Sequence, residues 1–162
     1  MKEMVTNKKG SVTDYPLIIV FLFGTSLVLL TATYLMTNIK AGFAGAGIGV
    51  EIFNAWEGTL TTFDLSLAFI MLGMMGGTVI AAAYIDTSPM WFFFSALLLT
   101  ITILVSATIS NVFKAIQVQD GFITASTNFP VMIWIMTNLP LLLTGGALVT
   151  LVVLYSKMRA PL

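Results

Sequence analysis

The side chains that carry most enzyme chemistry are scarce in this sequence. Its 162 residues include seven Asp or Glu and seven Lys or Arg, but neither His nor Cys. Without His the chain lacks the commonest general base and the commonest metal ligand, and without Cys it has no thiolate nucleophile. We therefore predict no catalytic residue, no metal site and no cofactor other than lipid, in a protein that is not an enzyme.

The carboxylates that remain have simpler interpretations than catalysis. Glu51 and Glu57 flank Trp56, and as an acid–base pair they would need a pocket that the sequence does not indicate. An acidic loop at a membrane surface is the favoured interpretation. Asp64 stands just before an apolar stretch, where we expect a solvated carboxylate at headgroup level beside the positive end of a helix dipole. No ionisable residue lies deep in an apolar stretch, which argues against a pump or a proton-coupled transporter.

The rest of the chain, which must position these few polar residues, is strongly apolar. Hydrophobic residues make up 58% of the chain and charged residues 9%, whereas soluble domains carry about 25% charged residues. We predict an all-α polytopic integral membrane protein, with the single domain 1–162 folded as a four-helix transmembrane bundle. Four uncharged stretches are long enough to cross a bilayer as helices, at residues 16–36, 65–85, 90–112 and 129–155.

The connection between the second and third stretches is very short. Only residues 86–88 clearly separate them, so we expect the two helices to run antiparallel and side by side. Ser88 followed by Pro89 is typical of a helix start, with Ser as the N-cap and Pro in the first turn.

Aromatic residues indicate where the chain meets the membrane surface. The connection 41–63 is rich in Gly at first, and then Phe53 and Trp56 fall on one helical face. This pattern predicts a short interfacial segment between the first two spans. Trp91 begins an aromatic run at the start of the third span, which also suits a membrane interface.

Small and hydroxyl-bearing residues recur every four positions in the two middle spans. In lipid, small residues let helix backbones approach closely, and hydroxyls bond to their own helix or to a neighbouring one. We interpret both stripes as packing surfaces. For the small-residue stripe, contact between protomers and contact with the chain's own third span are equally open. The stripes are Gly73, Gly77 and Ala81 in the second span, and Thr102, Ser106 and Ser110 in the third.

The fourth span contains a sequence that breaks helices. Pro140 removes one hydrogen bond and clashes with the carbonyl four residues earlier, so we predict a kink, or a short helix followed by the true span. Asn138 precedes this proline, and Gly145 and Gly146 follow it in a thin, deformable region. A packed kink is favoured over a functional hinge.

The basic residues are distributed unequally between the two sides of a four-span protein. Positive charge marks the cytoplasmic side of a membrane protein, so we expect both termini in the cytoplasm or in an equivalent compartment. The side of the termini holds Lys2, Lys8, Lys9, Lys157 and Arg159, whereas the other side holds Lys40 and Lys114.

The last two spans carry a resemblance to a known group of proteins. SPMWFFFSALLLTITILVSATISNVF is an aromatic-led span that follows Ser-Pro and ends near Ser-Asn. NFPVMIWIMTNLPLLLTGGALVTLVVLY begins with Phe-Pro and is broken by Asn-Leu-Pro. In these features the chain resembles small multi-span proteins of membrane-containing icosahedral phages and their archaeal counterparts.

The resemblance implies a structural role in a virion membrane, either linking lipid to a protein shell or shaping a conduit for genome delivery. The partners it implies are membrane lipid and other membrane or capsid proteins, in homo- or hetero-oligomers. The balanced charge and scarce Lys and Arg argue against nucleic acid. Two alternatives stay open: an accessory subunit of a cellular membrane complex, and a small channel or holin-like protein. A channel would need a polar stripe, for which the sequence offers Thr102, Ser106, Ser110 and Thr144.

Overall fold

The computed structural model describes residues 14–47, 49–84 and 88–159, and almost all of them are helical. These ranges contain no strand, which confirms the predicted all-α fold. Lys2, Lys8, Lys9 and Asp86 lie outside the described residues. The helices are α1 (Asp14–Gly45), α2 (Glu51–Tyr84), α3 (Pro89–Gln117), α4 (Phe122–Ser126), α5 (Pro130–Thr137) and α6 (Leu139–Arg159).

Four helices are long and apolar enough to cross a membrane. They are α1, α2, α3 and the Leu139–Lys157 part of α6, with mean hydropathies between 2.0 and 2.3. α1 has 32 residues and α2 has 34. At the helical rise per residue, both helices are about 50 Å long, whereas the hydrocarbon core of a bilayer is about 30 Å thick. The two helices therefore exceed the length that a span requires.

The predicted interfacial segment is not a separate element, because it forms the first turns of α2. α2 begins at Glu51, before the expected start of the second span at residue 65. No Pro interrupts this stretch, and two contacts join it to the end of α1. Lys40 Nζ lies 2.7 Å from Glu57 Oε1, and the rings of Phe43 and Phe53 have centroids 5.5 Å apart. The end of α1 and the start of α2 thus form a paired extension.

Local sequence determines both ends of α3. Ser88 Oγ accepts a hydrogen bond from the Trp91 backbone N–H at 3.2 Å, and Pro89 occupies the first turn, which confirms the predicted helix start. After α3 the chain turns at Gly121, where φ is +97°. A Cβ at Gly121 would lie 2.6 Å from Cε2 of Tyr34, so a larger residue would strain the backbone and require the Tyr34 ring to shift.

The order of the helices around the bundle differs from the prediction. α6 packs extensively against both α3 and α2, and α1 also contacts α2 and α3, whereas α2 and α3 barely contact each other. The expectation that the second and third spans lie side by side is therefore wrong. The buried residues of α3 include the small or hydroxyl-bearing Ser95, Thr102, Ser106 and Ser110, and such residues allow close helix contact in lipid. The last helix, α6, therefore lies beside α3, where the short connection led us to expect α2.

The fourth span is divided between α5 and α6. The division falls at Asn138, whose φ of −104° and ψ of 15° depart from helical values, and Pro140 lies two residues later. Backbone hydrogen bonds from Asn138 N to Trp134 O and from Leu142 N to Asn138 O continue the helical pattern across the break. The two helices thus form one interrupted rod. Its buried apolar residues include Met132, Met136, Leu139, Leu143 and Leu154.

Candidate functional site

A carboxylate from α2 is buried against the beginning of α5. Asp64 is 2% exposed, and it is the one charged residue in the core among the side chains that the structure describes. Its Oδ1 accepts a hydrogen bond from the Met132 N–H at 2.6 Å, and its Oδ2 accepts one from the Val131 N–H at 2.9 Å. α5 begins at Pro130, so these donors belong to the first turn, which has no intrahelical acceptors for them. Asp64 therefore caps a helix distant in sequence.

The expectation of a solvated Asp64 at a helix start is wrong. Since α2 begins at Glu51, Asp64 lies more than three turns inside that helix, and its partners follow 67 and 68 residues later. Phe129-Pro130 in the sequence does mark a helix start whose free N–H groups need an acceptor. Spacing alone could not identify Asp64 as that acceptor, because the contact is tertiary.

The other end of α5 is held by a hydroxyl from α3. Ser110 is buried and its Oγ donates to the carbonyl of Thr137, the last residue of α5, at 3.0 Å. We name Asp64, Ser110 and α5 together the α5 clamp, because the side chains from α2 and α3 bond to its two ends. Asp64 satisfies donors at the beginning of α5 and Ser110 satisfies an acceptor at its end.

The other hydroxyls of the α3 stripe bond within their own helix. Thr102 Oγ1 donates to the carbonyl of Leu98 at 2.8 Å, and Ser106 Oγ donates to that of Ile103 at 2.7 Å. Both residues are buried. Of the three predicted residues, only Ser110 reaches another helix by a hydrogen bond.

The small-residue stripe of α2 lies outside the bundle. Gly73 and Gly77 are exposed, and a Cβ added at either would meet nothing within 4 Å. Ala81 is half-buried. Since α2 barely contacts α3, the interpretation that this stripe packs against the chain's own third span is wrong. The interpretation that it contacts another protomer stays a prediction.

The two glycines after Pro140 have different environments. Gly145 is exposed, with open space where a Cβ would stand, whereas Gly146 is buried against the side chains of Met75 and Tyr15. Thr150 Oγ1 donates to the Gly146 carbonyl at 2.9 Å and lies 2.7 Å from the Tyr15 hydroxyl, which therefore donates to Thr150. Gly146 thus permits close packing between α6 and its neighbours.

The predicted interfacial aromatics lie at opposite ends of the bundle. Phe53 and Trp56 are half-buried in the first turns of α2, and Trp91 is half-buried in the first turn of α3. Trp56 packs against the core. The indole Nε1 atoms of Trp56 and Trp91 are buried and have no hydrogen-bond partner among the described residues.

Comparisons with known proteins identify no relative of this chain. No family model, no curated protein and no solved structure matches the chain.

Proposed function

We propose that this chain is a non-enzymatic structural or assembly protein of a membrane, in the leading version a virion membrane. It would link the bilayer to a protein shell or to a partner complex. The observation that carries the proposal is the exposed glycine surface of α2, formed by Gly73, Gly76 and Gly77, where a Cβ would meet nothing within 4 Å. α2 has no charged residue after Asp64. Since small residues favour close helix contact in lipid, this surface suits a second transmembrane helix.

The engagement of Asp64 supports a structural role over an enzymatic one. A general acid or base must be within hydrogen-bond reach of a substrate, and Asp64 is only 2% exposed. Both oxygens of Asp64 instead accept backbone N–H groups of α5. The carboxylate thus serves the fold of the α5 clamp.

The four hydroxyl groups that the sequence offers for a channel support a structural role over a pore. Thr144 Oγ1 donates to the Pro140 carbonyl at 2.6 Å, and Thr102 and Ser106 also donate to carbonyls of their own helices. Ser110 donates to α5. A water-filled path needs side-chain groups that are available to water or ions. These hydroxyl protons are all committed to backbone carbonyls.

The viral version and the orientation rest on the sequence. The resemblance of the last two spans to small proteins of membrane-containing viruses favours a virion membrane. Five basic residues on the side of the termini against two on the other place both termini, in this proposal, in the cytoplasm or its equivalent.

Larger side chains on the glycine surface test whether it forms a helix contact. Gly73→Ile/Gly77→Ile should weaken self-association or association with the partner at least tenfold, corresponding to about 1.4 kcal/mol. Native mass spectrometry in nanodiscs measures the oligomer distribution. Gly145→Ile is the matched control, since Gly145 is also exposed on an apolar helix with open space at its Cβ. Unchanged assemblies in the double variant would contradict the proposal.

Purification from the native source tests the kind of assembly. Co-migrating coat proteins, or a large array of this chain alone, would support the virion version. Co-migrating enzyme or electron-transfer subunits would instead make the chain an accessory subunit and overturn the viral interpretation.

A further inference from the structure

Two buried polar side-chain groups, one from α1 and one from α2, belong to residues that line the same small cavity. The cavity lies at the base of the paired extension, has a volume of about 10 Å³, and is lined by Thr33 and Trp56 among others. Thr33 is 2% exposed, and its Oγ1 has no hydrogen-bond partner among the described residues. The Nε1 atom of Trp56 is also buried and has none. Since buried polar groups are almost always hydrogen-bonded, these two atoms need a partner.

The cavity is about as large as one water molecule and has polar residues of both helices on its walls. A water needs at least about 10 Å³ of such space, so the cavity has room for one and not for two. Thr37 lies one turn after Thr33 on α1, and Glu57 directly follows Trp56 on α2. All four residues line the cavity. Polar cavities of this size hold ordered water in proteins, whereas apolar cavities stay empty.

The hydrogen-bonding capacity of the walls identifies the kind of occupant. The indole N–H of Trp56 can only donate, so its partner must have a lone pair and cannot be a metal cation or an ammonium group. An anion is disfavoured because the Glu57 carboxylate lines the same cavity. The Thr33 hydroxyl also has a proton to donate. The occupant is therefore a small neutral molecule that accepts two hydrogen bonds, which water does.

The walls also supply acceptors for the two protons of a water molecule. Thr37 Oγ1 donates its own proton to the Thr33 carbonyl at 2.9 Å, so its lone pairs can accept. The Glu57 carboxylate accepts a hydrogen bond from Lys40 Nζ at Oε1, at 2.7 Å. A carboxylate has about four acceptor positions, so this ion pair leaves it able to accept another hydrogen bond. Two donors and two acceptors thus belong to residues on the walls of one cavity.

We propose that this cavity is the binding site of one internal water molecule that bridges α1 and α2. The water accepts hydrogen bonds from the Trp56 N–H and the Thr33 hydroxyl. It donates to Thr37 Oγ1 and to the Glu57 carboxylate. The bridge joins the two helices at the base of the paired extension, next to the Lys40–Glu57 ion pair. The site is independent of the proposed assembly role, because its residues are separate from the exposed glycine surface of α2.

Removal of the Thr33 hydroxyl distinguishes a bridged group from an unpartnered one. Thr33→Val keeps the shape of the side chain and replaces the hydroxyl by a methyl group. If the water is bound, the variant loses a hydrogen bond, and the equilibrium constant of unfolding in an SDS titration should rise about fivefold. If the hydroxyl has no partner, its removal should leave the constant unchanged or lower it, and that result would overturn the proposal.

Ser26→Ala is the matched control for this titration. Ser26 is also buried on α1 and its Oγ has no partner among the described residues, but it does not line this cavity. We expect Ser26→Ala to change the constant less than about twofold, because no bridging hydrogen bond is lost. An equal rise in Ser26→Ala and Thr33→Val would overturn the proposal, since the loss would then not depend on the cavity.

A double-mutant cycle tests whether the two groups share one partner. Trp56→Phe removes the indole N–H. In that background Thr33→Val should raise the unfolding constant less than about twofold, because the bridge is already broken. The same fivefold effect of Thr33→Val in both backgrounds would contradict a shared water.

A crystal structure of the full chain grown in a lipid mesophase observes the site directly. We expect density for one water within hydrogen-bond distance of both Trp56 Nε1 and Thr33 Oγ1. The same density should be missing from the Thr33→Val/Trp56→Phe variant. A Thr33 hydroxyl that donates instead to the carbonyl of Leu29, four residues earlier, would refute the proposal.

Discussion

A carboxylate withdrawn from water needs compensation for its lost hydration. For Asp64 this compensation comes from two backbone N–H donors, at 2.6 and 2.9 Å, and from the positive end of the α5 dipole. Hydrogen bonds to a charged group are stronger than those between neutral groups. The two N–H groups depend on the carboxylate in turn. If it were removed, the donors of Val131 and Met132 would be buried without an acceptor.

Removal of the Asp64 carboxylate should therefore destabilise the bundle strongly. We expect Asp64→Ala to lower the free energy of unfolding by about 3 kcal/mol, because two buried donors lose their acceptors. Asp64→Asn should lower it by less, since one amide oxygen can still accept. Titration with SDS, followed by far-ultraviolet circular dichroism, measures the loss. Asp120→Asn is the control, because Asp120 is exposed. Equal stability of Asp64→Ala and Asp120→Asn would contradict the capping role.

At the scale of the element, α5 is a short helix that depends on its neighbours. Its eight residues are too few for a stable isolated helix. It contacts α1, α2 and α3, and the α5 clamp bonds to both of its ends. Met132 and Met136 of α5 are fully buried, so apolar packing also holds this short helix in place.

The Ser110 hydroxyl should contribute more to stability than the other buried hydroxyls of α3. Ser110→Ala leaves the Thr137 carbonyl without this donor, and we expect a loss of about 1 kcal/mol in the free energy of unfolding. Ser106→Ala is the matched control. Its hydroxyl bonds within the same helix, at the Ile103 carbonyl, so its removal should cost only a few tenths of a kcal/mol. If the same SDS titration gave Ser106→Ala the larger loss, α5 would not depend on Ser110.

At the scale of the whole molecule, the sequence indicates which segments are helices better than it indicates which faces meet. Charge-free length predicted the four spans, and Ser88-Pro89 predicted the start of α3. In a membrane-spanning helix apolar residues occur on every side, so periodicity does not identify the packed face. The contact of Asp64 with α5 joins residues 67 positions apart, and no local pattern encodes it. The separation of α2 from α3 likewise depends on how closely α6 fits against α3.

The absence of Cys from the sequence makes the proposed orientation of the whole molecule directly measurable. Asn54 is exposed in the paired extension of α1 and α2, and Ser156 is exposed near the opposite end of the bundle, in the last turns of α6. With the termini on the cytoplasmic side, an impermeant maleimide should label Asn54→Cys in intact cells, and Ser156→Cys only after permeabilisation. Ser106→Cys should resist labelling in both cases, because Ser106 is fully buried. The reverse pattern for Asn54→Cys and Ser156→Cys would place the termini outside. The excess of basic residues would then not have determined the orientation.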